Sequence, residues 1–91
     1  MNNFKDVPKD LDTQIIEQSE IILNGISVLK QKWNWDGIFA NSLIFNSNDV
    51  EALSDNELLE FIKKSGIQIN SSVTYSNTNG YRFVNYNFEA S

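Results

Sequence analysis

Apolar and polar positions alternate most regularly near the C-terminus, where residues 71–88 read SSVTYSNTNGYRFVNYNF. Asn79-Gly80 sits between two alternating segments, and both central residues of a type I′ turn need positive φ, so the stretch predicts a β-hairpin. A two-residue loop pairs Thr78 with Tyr81, Tyr75 with Val84 and Val73 with Tyr86. That register gathers Val73, Tyr75, Val84, Tyr86 and Phe88 on one face. It leaves Ser72, Thr74, Ser76, Asn85 and Asn87 on the other, together with Tyr81 and Phe83. A slip of one residue scrambles both faces, so the pattern selects this loop.

Towards the N-terminus a longer period fits. Leu11, Ile15, Ile22, Ile26, Leu29 and Trp33 project onto one side of an α-helix, with Ile16 and Leu23 widening the stripe. Pro8 suits a helix start, and Asp10 and Asp12 suit its first turn. The spacing therefore predicts a helix over 9–33. Ile21 and Val28 fall opposite the stripe with Gly25 between them, either as scattered surface apolars or as a contact surface for a partner or a second copy of the chain. Residues 1–8 read as an arm or as a strap over the core.

Asp36-Gly37 turns the chain, and the apolar run over 38–45 predicts a strand covered on both faces. Residues 46–49 form a loop. Ser54 and Glu57 make a capping box, Leu53 and Leu58 stand at staple spacing, and Leu58, Phe61 and Ile62 form a buried stripe. Lys63 and Lys64 suit the C-terminal end, with Gly66 as an αL stop, so a second helix is expected over this stretch. Ile67 begins the alternation that runs into the hairpin. The expected fold is α+β in the order α–β–α–β–β: a small three-stranded antiparallel sheet with a C-terminal hairpin and both helices mainly on one face.

Composition narrows the chemistry more than the fold. Ninety-one residues make a single domain, 1–91, with one modest core. No Cys is present, so disulfides and thiolate chemistry are excluded; no His is present, which removes the usual neutral-pH base and the commonest metal ligand. Arg82 stands alone, and a net charge of −5 opposes direct binding to nucleic acid or anionic lipid and favours a basic partner. There is neither a long apolar run nor a basic-then-apolar leader, so a cytoplasmic protein with no membrane contact is expected.

Carboxylates are the abundant reactive groups. Asp49, Glu51, Asp55, Glu57 and Glu60 gather around the start of the second predicted helix. Their spacing matches no calcium loop, and nothing marks an acid/base pair in a cleft, so neither a metal site nor a catalytic centre is read from them. They serve either as capping charges on a solvated face or as the contact for a Lys/Arg-rich surface. Tyr81 and Phe83 are either covered by the arm through Phe4 or Val7, or offered to a protein partner. Trp33 reads as core and Trp35 as a candidate anchor.

These residues point to a non-enzymatic binding protein without a cofactor. Its candidate contact residues are Asp49, Glu51, Asp55, Glu60, Trp35, Tyr81, Phe83, Ile21 and Val28. The expected partner is a basic protein, a nucleic-acid-handling enzyme or a toxin, whose functional surface the chain covers. In composition the chain is similar to phage-borne inhibitors of bacterial defence, such as anti-CRISPR or anti-restriction proteins, and to toxin-immunity proteins. A structural or regulatory subunit, or a homodimer through the hairpin edge or the Ile21/Val28 side, is the second reading. An enzyme using a carboxylate pair is the third.

Overall fold

In the computed structural model, which describes Phe4, Val7 and residues 13–90, the chain forms five antiparallel strands and one helix. The strands are β1 (Thr13–Leu23), β2 (Ile26–Trp35), β3 (Ile38–Asn46), β4 (Thr74–Thr78) and β5 (Tyr81–Ala90), and the helix is α1 (Asp55–Lys64). They make one sheet in the order β1-β2-β3-β5-β4. The three-stranded sheet with two helices is thereby overturned. Residues 13–33, expected to be helical, are instead most of a β-hairpin; Pro8, Asp10, Leu11 and Asp12, read as that helix's start, lie outside the described residues.

The hairpins share one device. Asn24-Gly25, Asp36-Gly37 and Asn79-Gly80 all have positive φ at both residues, and each closes a two-residue loop: Leu23 pairs Ile26, Trp35 pairs Ile38, Thr78 pairs Tyr81. Paired positive φ is the type I′ geometry, whose twist matches the flanking strands, and Gly reaches it without strain. A Gly at position 25 therefore serves a turn and not a helix interior.

The sheet has two unequal faces. On the first, Leu23, Val28, Leu43, Phe45, Val84 and Tyr86 form a core with Val50 and with Leu58 and Ile62 of α1. Phe61 meets Phe45 edge-on at 6.4 Å between ring centroids. Helix α1 starts as expected: the Ser54 side chain accepts from the Glu57 N–H at 3.2 Å, and the Ser54 N–H donates to Glu57 Oε1 at 3.0 Å. Those hydrogen bonds hold the Glu57 carboxyl below its ordinary range. The cap is therefore present above the usual carboxylate range and loosens as pH falls through the lowered value. Gly66, at φ 92°, ends the helix in the αL region.

The strand expected over 38–45 is β3, the middle of the sheet, with Leu43, Ile44 and Phe45 fully buried. Burying each such side chain contributes about 2 kcal/mol. The expected C-terminal register holds for Thr78–Tyr81 and Tyr75–Val84. Phe88 departs from it. Asn87 sits at φ 55° where the β3–β5 register shifts, and this bulge turns Phe88 onto the second face against Trp33. The Asn87 side chain also fastens the segment before β4. Its Oδ1 accepts from the Asn70 N–H at 2.9 Å and its Nδ2 donates to the Gln68 carbonyl at 3.1 Å. The Asn87 N–H donates to Ser71 Oγ at 2.5 Å.

Candidate partner-binding site

The second face is divided by a polar row. Gln18, Gln31, Ser42, Asn85 and Thr74 stand opposite one another across all five strands. Gln31 Nε2 donates to Gln18 Oε1 at 3.2 Å, Trp33 Nε1 to Ser42 Oγ at 2.6 Å, Ser42 Oγ to Asn85 Oδ1 at 2.5 Å, and Asn85 Nδ2 to Thr74 Oγ1 at 3.1 Å. Ser42 is buried, and its hydroxyl accepts from the indole while donating to the amide, so nothing polar is stranded there. The sequence does not announce this row, because Gln18 and Gln31 fall in the stretch read as a helix, and Ser42, Thr74 and Asn85 are ordinary polar strand residues until the strands are aligned.

On one side of the row the face is covered over β2, β3 and β5. Phe4 is buried with Leu29, Ile44 and Tyr81, and Val7 and Phe83 pack against that cluster. The Phe4 and Tyr81 rings lie 6.1 Å apart. Of the two readings for Tyr81 and Phe83, the structure has the one in which Phe4 and Val7 cover them. The rest of the arm lies outside the described residues.

On the other side, among the described residues, the face is open. Trp33, Trp35, Ile38 and Phe88 occupy this end, with the Trp33 and Phe88 rings edge to face at 6.2 Å. Trp35 is 46% exposed and Phe88 36%. Trp33 is braced by Ser42 on one edge and Phe88 on the other, and Trp35 stands two residues along on the same face of β2. Rigid, partly exposed aromatics give contact area with little entropy to lose on binding, which is why Trp dominates interface centres. Asp36, in the turn between Trp35 and Ile38, sets an exposed carboxylate at the rim.

The remaining candidates are scattered. Ile21 and Val28 are a cross-strand pair on the first face, and Val28 is fully buried in the main core, so it is no part of a contact surface. Asp55 is held by Arg82 Nη2 at 2.9 Å. The same guanidinium donates to the Val50 carbonyl at 2.7 Å and to the Leu53 carbonyl at 2.9 Å, tying the loop before α1 to β5. Asp49, Glu51 and Glu60 are exposed and form no ion pair among the described residues. They belong to the end of the sheet opposite Trp35, since Ser47 donates to the Gly80 carbonyl beside the β4–β5 turn. From Ile38 to Asn46, β3 spans roughly 26 Å at about 3.3 Å per residue.

Among the described residues, no group of three or more carboxylates is placed to hold a metal ion, and no helix is long and apolar enough to cross a membrane. The chain matches no known protein family, no curated protein and no solved structure.

Proposed function

We propose that the chain is a non-catalytic binding protein that seats Trp35 and Phe88 on another protein and so blocks that partner's working surface. The open aromatic end of the second face is the observation that carries this reading, because large apolar side chains left partly exposed on a braced platform mark contact surfaces. A net charge of −5 favours a basic partner, and Asp49, Glu51 and Glu60 act on it from a distance, raising the rate of encounter more than the affinity. A nucleic-acid-handling enzyme or a toxin fits that description, and a cytoplasmic setting suits a chain without cysteine. The inhibitor and immunity readings both follow from this picture, and the identity of the partner decides between them.

The test is capture of the partner by the full chain, followed by binding kinetics with the purified pair. W35A/F88A is expected to weaken binding about 100-fold or more, mainly through faster dissociation, as for paired aromatic anchors. D49N/E51Q/E60Q is expected to slow association and flatten its salt dependence while leaving dissociation unchanged. A captured partner that binds W35A/F88A as tightly as the parent contradicts the proposal. The second reading, a homodimer, draws on the outer edge of β1, which pairs with no further strand among the described residues, and on Ile16 and Ile22, 44% and 68% exposed. A single-chain mass at every concentration in light scattering removes it.

A further inference from the structure

The first face is not covered along its whole length. Helix α1 packs over the end near Phe45, and beyond it a cleft of about 260 Å³ opens, bounded by Lys32, Phe39, Asn41, Asn70, Asn87 and Glu89. The sheet register builds this trough. Lys32 stands opposite Asn41 across β2 and β3, and Phe39 stands opposite Glu89 across β3 and β5. The segment fastened by Asn87 brings Asn70 in from the side. Asn87 is thus committed to holding the wall, whereas the side chains of Lys32, Asn41, Asn70 and Glu89 make no hydrogen bond or ion pair among the described residues.

We infer that this cleft binds one residue of a neutral sugar. The chemistry of the lining selects that class. One ammonium and one carboxylate leave the cleft without net charge, which gives no preference for an anion or a cation. Two carboxamides, each with donors and an acceptor on one planar head, match the alternating donor and acceptor character of neighbouring hydroxyls. The Glu89 carboxylate accepts from a hydroxyl pair, the Lys32 ammonium donates to a hydroxyl or ring oxygen, and Phe39 offers an apolar wall to the C–H side of the ring. The volume lies below the range of drug-sized pockets and suits a single ring. The cleft opens on the opposite face from Trp35; Phe88 also lines it, but none of the hydrogen-bonding groups invoked here belongs to the partner-binding surface.

The inference is tested by titrating the isotope-labelled full chain with glucose, galactose, mannose and N-acetylglucosamine to about 100 mM, following backbone and Asn side-chain amides; a ligand this small and polar is expected to bind in the millimolar range. At least one sugar is expected to shift the Asn41 and Asn70 side-chain amides together with the backbone of 39–41 and 87–89. Glu89→Gln and Asn41→Ala are each expected to weaken that binding by about fivefold, the loss of one good hydrogen bond. Both variants should keep the parent's dispersed spectrum, and Glu89, exposed near the end of β5, serves if Asn41→Ala does not. The inference is overturned if no sugar perturbs the cleft, if the shifts centre on Trp33 and Trp35, or if only glycine, run as a zwitterionic control, binds there.

Discussion

Val28→Lys is expected to abolish the folded state. Val28 is fully buried between Ile21 on β1 and Phe45 on β3, inside the cluster that α1 covers. An ammonium placed there must lose its water or its proton, and either costs several kcal/mol. A domain of this size has about 5–10 kcal/mol in all, so the chain should lose its dispersed amide spectrum and its cooperative thermal transition. Ile22→Lys is the matched control: Ile22 is 68% exposed, and its replacement should change stability by no more than about 0.5 kcal/mol. If the Val28 variant melts as the Ile22 variant does, residue 28 is on the surface and the described core is wrong.

Arg82→Met is expected to lower stability by about 3 kcal/mol, because hydrogen bonds from a charged group are worth about 1.5–3 kcal/mol and the Leu53 carbonyl loses its donor, while the Val50 carbonyl keeps only the Leu53 N–H at 3.0 Å. The guanidinium side chain is 12% exposed, and two of its contacts are the carbonyls of Val50 and Leu53, which no other side chain serves among the described residues. Asp55, by contrast, is 57% exposed, so Asp55→Asn should cost less than about 1 kcal/mol. Arg82→Lys should fall between the two, since an ammonium lacks the planar fork that spans both carbonyls and the carboxylate. Urea midpoints for the three variants supply the ranking. Equal midpoints for Arg82→Met and Asp55→Asn would reduce the contact to a surface ion pair and remove Arg82 as the clip that seats α1.

Where local signals were unambiguous, the sequence could be read. Ser54 and Glu57 cap α1 as expected, Gly66 ends it, Asn79-Gly80 closes the last hairpin, and the doubly apolar run over 38–45 lies at the centre of the sheet. The N-terminal hairpin was not legible as one because its apolar residues satisfy a helical template by coincidence. Ile15, Ile22, Leu29 and Trp33 do share a face, but it is a face of the sheet. A bulge at Ile16 shifts the parity of β1, and the turn at Asn24-Gly25 reflects it, so two period-two strands imitate a longer period. Two signals pointed the other way. Asn24-Gly25 is the same dipeptide as Asn79-Gly80, and Ile15, Ile16, Ile21, Ile22, Ile26 and Val28 are β-branched residues that favour strands.

The candidate site was legible in part. Trp35 stood out from composition alone. Phe88 did not, because strict alternation assigns it to the core face, and only the positive φ at Asn87 moves it beside Trp33. Asn tolerates that conformation better than most residues, yet an Asn near a strand's end is too common to announce a bulge. The cover supplied by Phe4 and Val7 was one of two open readings, since a short arm's destination depends on which face has room for it.

Everything proposed for the second face requires residues 13–35 to fold back as two strands, carrying Trp33 and Trp35 to the side of the sheet where Phe88 lies. Through-space proton contacts in the intact chain measure this directly. Cross-peaks between the Trp33 indole and the Phe88 ring, with strand-to-strand contacts linking Ile21 to Val28, are the predicted result. An unbroken run of sequential amide–amide contacts through Asn24 and Gly25, with none from Trp33 to Phe88, would mean a helix, and would contradict both the sheet and the binding surface built on it.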